Sequence, residues 1–140
     1  MFKKILIATD GSVPADKALK TAVELAKEEG AVLNILCVIP VIDMGSDEMI
    51  SLSRAEAAKV EYSFLQMAQE YAANKGVDAK TLTLSGHPGQ VIVDYLSSYP
   101  HDLVVLGHRG MSNIQALLMG SVAYKVANLA PCAVLIVKDS

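Results

Sequence analysis

The sequence has no tryptophan and only two phenylalanines, and aromatic residues make up 5% of it. The core must therefore be built from aliphatic side chains. It has two cysteines, Cys37 and Cys132, each inside an apolar strand-like run. That excludes a disulfide framework and a cysteine-rich metal site, and both are expected as buried free thiols. No cluster of lysine and arginine appears, and the formal charge is −3, which argues against a nucleic-acid footprint. No apolar run approaches the length needed to span a bilayer. The opening Met1-Phe2-Lys3-Lys4-Ile5 runs into an apolar stretch and reads as a first strand rather than a signal peptide, which suggests a cytoplasmic protein. Three well-known chemical motifs are missing: the G-x-x-x-x-G-K-[ST] loop, the G-x-G-x-x-G turn and the G-x-S-x-G elbow. The three histidines, His87, His101 and His108, lack metal-ligand spacing. His87 reads as a turn residue, and His101 and His108 as surface residues.

What is present is a regular alternation of short apolar runs and helical stripes over 140 residues, a length that suits one domain, residues 1–140. Lys4 to Thr9 has the non-alternating pattern of a strand buried on both faces. Asp10-Gly11-Ser12 ends it, and Ser12 is placed to cap a helix with Pro14 in its first turn. Ala15, Ala18, Leu19, Ala22, Val23 and Ala26 form one stripe of that helix, and Gly30 stops it. Val32 to Ile39 is a second buried-type strand. A long helix is expected from about Asp47 to Lys75, with Ala57, Val60, Phe64, Met67, Ala68 and Tyr71 on one face and Gly76 at its end. Thr81 to Leu84 alternates as an exposed edge strand does. After the turn Gly86-His87-Pro88-Gly89, a short helix carries Val91, Ile92, Tyr95, Leu96 and Tyr99 on one face. Leu103 to Leu106 is a fourth strand. Ser112-Asn113-Ile114-Gln115 reads as a capping box, Ser121 as the cap of a last helix to about Leu129, and Ala133 to Val137 as a fifth strand. The order βαβαβαβαβ predicts an α/β fold with a parallel sheet and right-handed crossovers.

Chemistry is concentrated between Leu106 and Val122, L-G-H-R-G-M-S-N-I-Q-A-L-L-M-G-S-V. A strand enters a glycine turn at Gly107 and Gly110, and a second step, Gly120-Ser121, opens a helix. Glycines let backbone N–H groups approach an anion, and a helix start carries unpaired donors. In an open parallel sheet, ligands bind beyond the carboxyl ends of the strands. Thr9-Asp10-Gly11-Ser12 and Cys37-Val38-Ile39-Pro40 reach the same edge. Gly107, Gly110, Gly120, Ser121 and Val122 are thus candidate donors to phosphates, and Arg109 a candidate charge. Asp10, beside Thr9, is a candidate for ribose or a divalent cation, and Val38 for the edge of a base. A helix dipole contributes only about 0.3–1 kcal/mol to an anion, whereas micromolar affinity needs about −8 kcal/mol. Base burial and several aligned amides must supply the difference. No base or nucleophile is placed at the end of the phosphates, so rapid catalysis is not expected.

The spacing Gly107-x2-Gly110-x9-Gly120-Ser121 resembles the ATP-binding motif of the universal stress protein family. The opening K-K-I-L-I-A-T-D-G-S and the ending P-C-A-V-L-I-V resemble that family as well. The resemblance spans essentially the whole chain. It implies a three-layer, Rossmann-like fold of the adenine nucleotide alpha hydrolase type with strand order 3-2-1-4-5. It further implies a homodimer through the last strand, Ala133 to Val137. ATP with a divalent cation, Mg²⁺ or Mn²⁺, is the implied ligand. Asp10 then falls on ribose or metal, Val38 on adenine, and the glycine motif on the phosphates. Cys37 departs from the histidine that many members carry. The expected role is a nucleotide-dependent stress-response or signalling module with at most slow ATP hydrolysis. Two other readings remain open on the residues alone. One is a protein-interaction module whose pocket is vestigial or prefers AMP or a cyclic nucleotide. The other is a slow ATPase or phosphotransferase.

Overall fold

A computed structural model of the chain describes residues 1–9, 13–40, 63–108 and 119–138. Five strands form one parallel sheet: β1 (Lys4–Thr9), β2 (Val32–Pro40), β3 (Ala79–Gly86), β4 (Leu103–Gly107) and β5 (Ala133–Val137). Their order is β3-β2-β1-β4-β5, as the resemblance implies. The helices are α1 (Val13–Glu29), α2 (helical over 63–74), α3 (Pro88–Ser98) and α4 (Ser121–Leu129).

Helices cover both faces. On one, Ala18, Leu19, Ala22, Val23 and Ala26 of α1 and Phe64, Ala68 and Ala72 of α2 pack on Ile5, Ile7, Leu33, Ile35, Leu103 and Val105. On the other, Ile92, Val93 and Leu96 of α3 and Ala123 and Val126 of α4 pack on Leu6, Ala8, Leu36, Val38, Val104 and Leu106. Successive strand residues alternate between these two cores, which is why β1, β2 and β4 read as unbroken apolar runs. α1 and α2 end where glycine permits a left-handed turn, at Gly30 (φ 63°) and Gly76 (φ 78°).

Several expectations are corrected. β3 runs from Ala79 to Gly86 rather than from Thr81 to Leu84, because pairing with β2 along its whole length recruits Lys80 and Ser85 into the ladder. It is an exposed edge strand, as its alternation predicts. Met67 is 50% exposed, so the buried stripe of α2 is carried by the small Ala68 and Ala72 together with Phe64. Tyr99 lies just past α3 and is 55% exposed. α4 is capped by Gly120, and Ser121 is its first helical residue rather than its cap. His101 is buried, not on the surface. Ser12, Ala57, Val60 and the Ser112–Gln115 box lie outside the described residues. Neither cysteine is in a disulfide; Cys37 is buried and Cys132 half-buried. Among the described residues no helix is long and apolar enough to cross a membrane.

Candidate functional site

The sheet opens at its carboxyl edge, and the opening follows from register. β1 and β4 pair only from Ile5↔Leu103 to Ile7↔Val105. β1 nevertheless continues to Thr9 and β4 to Gly107. Each strand therefore extends two residues past their last shared pair. β1 stays with β2 as far as Thr9↔Cys37, and β4 stays with β5 as far as Gly107↔Val137. The two halves of the sheet diverge between Thr9 and Gly107, at the point where the strand order reverses.

A second consequence of register concerns Val38. The Val32 N–H donates to Lys3 O at 3.0 Å, and the Leu33 N–H donates to Asp78 O at 3.4 Å. Even-numbered residues of β2 thus turn their backbone toward β1 and odd-numbered ones toward β3. The last registered β1–β2 pair is Thr9↔Cys37, whereas β2 stays paired with β3 to Pro40↔Gly86. Val38 is the first residue beyond the last β1 pair, and its backbone faces the β1 side. Its side chain is buried in the α3/α4 core, and by the same alternation its N–H closes the last β1 rung on Thr9 O, so its carbonyl is the group that faces the gap. A flat heterocycle with a donor on its edge suits such a position.

α4 delivers the third component. The His108 N–H donates to Val137 O at 2.9 Å, and the Gly120 N–H donates to His108 O at 2.9 Å. The His108 backbone therefore ties the end of β5 to the start of α4, one residue after Gly107. Gly120 is buried at the N-cap, and its carbonyl accepts the Tyr124 N–H at 2.9 Å. Its own N–H is committed to His108. The N–H groups of Ser121, Val122 and Ala123 precede the first intrahelical bond, and the N-cap Gly120 has no side chain to cap them. They are the N–H groups at the start of this helix, and the exposed Ser121 stands among them. α4 is nine residues long, so its dipole is developed there.

The sequence candidates thus fall into two groups. Thr9, Val38, Gly107, Gly120, Ser121 and Val122 are gathered at one edge of the sheet by the register and by His108. Asp10, Arg109 and Gly110 lie outside the described residues. Sequence reasoning missed the backbone of His108, and it also missed Ala123 as a donor. A clamp made by a main-chain amide and carbonyl leaves no residue-type signal. Among the described residues no group of three or more His, Cys, Asp or Glu is arranged to hold a metal ion.

A family profile described as the universal stress protein family matches residues 1–138. The chain belongs to the universal stress protein family. It is similar to the universal stress protein YxiE of Bacillus subtilis, with 39% identity over 148 residues, covering 99% of this chain and 100% of that one. The fold of this universal stress protein is also that of UspA from Lactobacillus plantarum: TM-score 0.86, 30% identity, 97% of each chain covered. A universal stress protein solved in complex with cAMP is similar at TM-score 0.77 and 28% identity, over 99% of each chain.

Proposed function

We propose that this universal stress protein binds an adenine nucleotide across the carboxyl edge of its sheet and serves as a nucleotide-dependent stress-response or signalling module. The observation that carries the reading is the divergence of β1 and β4 beside the Gly120-capped N-terminus of α4, with the Val38 carbonyl on the near side of the same gap. The adenine lies along Val38. The ribose lies toward Thr9 and Asp10. The phosphates lie against Gly107 and the Ser121, Val122 and Ala123 amides, with Gly120 shaping the approach and Gly110 and Arg109 completing the turn. ATP is the favoured ligand. Its charge is shared with Mg²⁺ or Mn²⁺, which such sites hold through phosphate oxygens and one or two carboxylates; Asp10 is the candidate carboxylate.

A holding role fits better than rapid turnover. The groups this reading uses are backbone amides and the Ser121 hydroxyl, which hold phosphates without attacking them. Hydrolysis, where it occurs, is slow. The test is to denature the purified protein, identify the released small molecules, and titrate nucleotide-free protein with ATP with and without Mg²⁺. Micromolar binding is expected. No adenine nucleotide in the extract and no binding up to millimolar ATP refutes the reading. The similar protein crystallised with cAMP favours running AMP and cAMP beside ATP. Tighter binding of either monophosphate would move the assignment to the alternative of an AMP-preferring or cyclic-nucleotide-preferring pocket.

The same reading includes a homodimer through Ala133–Val137. β5 is an edge strand with Val134 and Ile136 turned to one core and Leu135 and Val137 to the other, all only half-buried. An apolar edge of this kind is an aggregation hazard unless paired, and pairing with its own copy closes a two-fold assembly. Sedimentation at micromolar concentration is expected to give a dimer, and a monomer would exclude it.

A further inference from the structure

His101 lies at the opposite, amino edge of the sheet, between α3 and β4. It is 8% exposed. Its Nδ1 is 2.7 Å from Tyr99 O, an acceptor only, so Nδ1 carries a proton and donates. Its Nε2 is 3.0 Å from Nδ2 of Asn34 on β2. An amide nitrogen is a donor only, so Nε2 is the bare, accepting nitrogen and the imidazole is neutral.

Asn34 is itself out of place. It shares a strand face with Leu36 and Val38, in a row where Leu6 stands beside it on β1 and Val104 beyond on β4. A half-buried amide on an apolar sheet face costs stability unless it is bonded. His101 reaches across β1 to supply the acceptor.

We propose that the His101–Asn34 contact is a proton-operated latch: the neutral imidazole holds the end of α3 and the start of β4 against β2, and protonation releases it. Once Nε2 carries hydrogen it faces the Asn34 NH₂, donor against donor. Turning the Asn34 amide over restores one bond, but it leaves a cation in a largely buried place. The charged and titratable groups around it do not compensate. Lys4 of β1 is positive, and Lys80 of β3 stands in register with Asn34. Tyr95 of α3 lies against the imidazole with ring centroids 5.9 Å apart, and Tyr99 offers only its carbonyl. Cys132 lies near Asp102, and burial pushes its thiol up, so it stays neutral. The Tyr99 carbonyl and Asp102 favour a positive imidazole, but the Asp102 carboxylate is exposed and already accepts the Lys3 and Lys4 N–H groups. In agreement, burial holds the His101 ring below the ordinary imidazole range, with Lys4 adding to this and the Tyr99 carbonyl and Asp102 opposing it.

The test is heteronuclear NMR of the His101 ring from about pH 8 down to about pH 4.5, the window in which imidazoles change charge. The expected spectrum at neutral pH has hydrogen on Nδ1 and none on Nε2, with titration below the ordinary value of about 6.5. Amide exchange at Tyr99, whose N–H donates to Tyr95 O, is expected to lose protection as the ring titrates. In Asn34→Asp the carboxylate accepts from Nε2–H, so the titration rises and acid no longer loosens the end of α3. A ring that titrates at or above about 6.5 in the unmodified protein overturns the latch. So does an Asn34→Asp protein whose ring titrates unchanged. If that variant does not fold, the ring titration and the Tyr99 exchange of the unmodified protein decide the matter.

Discussion

The two edges of this sheet are built on opposite rules. At the amino edge, backbone and side-chain groups satisfy one another. The Val32 N–H meets Lys3 O, the Asp102 N–H meets Lys4 O, the Asp102 carboxylate accepts Lys3 and Lys4, and His101 meets Asn34. At the carboxyl edge, β1 and β4 diverge two residues before they end, and α4 begins at a glycine, which has no side chain to cap it. The same five strands make both edges, so propensity cannot account for the difference. Register does: three-residue pairing between β1 and β4 closes one end and splays the other. The general lesson is that a parallel sheet leaves hydrogen-bonding capacity open at one end, where a helix start adds further donors.

The sharpest way to break this contrast is to put a charge where the donors are. Ser121→Glu is expected to weaken nucleotide binding by about 100-fold, which is about 2.8 kcal/mol, measured by calorimetric titration. The same substitution is expected to raise stability by about 0.3–1 kcal/mol, because a carboxylate suits a helix N-terminus. Loss of both binding and stability would mean that the α4 start is structural and not a donor site.

The next largest effect is at the turn that leaves β3. Gly86 has φ +143°, and a Cβ there would stand 2.7 Å from Val91 Cγ2. Gly86→Ala is expected to cost about 1–3 kcal/mol of unfolding free energy, read from urea denaturation at constant m.

The closed edge is tested by a double-mutant cycle. His101→Ala or Asn34→Ala alone leaves a buried polar group unsatisfied and is expected to cost about 1–3 kcal/mol. Asn34→Leu combined with His101→Phe removes both partners and is expected to be close to neutral by the same reasoning. Additive costs would show that the two side chains do not act as a pair.

The smallest effect is at Asp102, which is exposed. Its backbone bonds from Lys3 and Lys4 hold the carboxyl below its ordinary value of 3.8, with the Lys3 and His101 charges helping. A depressed carboxyl contributes stability above its unfolded pKa and loses it as pH falls through the folded value. Asp102→Asn is therefore expected to lower the melting temperature modestly at pH 7 and to flatten the acid limb below about pH 4. An unchanged acid limb would separate Asp102 from the closure of this edge.

Much of the fold is legible in the chain because its signals are local. The runs Lys4–Thr9 and Leu103–Leu106 are dominated by apolar residues without alternation, as strands covered on both sides must be. The α1 stripe keeps helical period, and Gly30 and Gly76 stand where the chain must turn left-handed. The glycines of the site are legible for a similar reason, since close backbone approach restricts residue type. The errors came where partners are distant. Met67 keeps the period of α2 but faces outward. His101 looks like a surface residue until Asn34, 67 positions earlier in the chain, is brought beside it. Ser121 has the residue type of a cap, yet the preceding Gly120 takes that place, held by the His108 carbonyl.

By itself, then, the sequence determined the strand and helix order, the two-sided burial of the sheet, the family, and the stretch from Leu106 to Val122 as the place to look for a ligand. Side-chain period and glycine placement are properties of neighbours in the chain, and they survive without coordinates. Tertiary structure alone decided which amides are already bonded and which are offered. The Gly120 N–H is taken by His108, Ser121 to Ala123 precede the first intrahelical bond, and the Val38 carbonyl is turned toward the gap beside β1. Those assignments depend on the registers of separate strands, and a backbone hydrogen bond carries no mark of the residue that makes it.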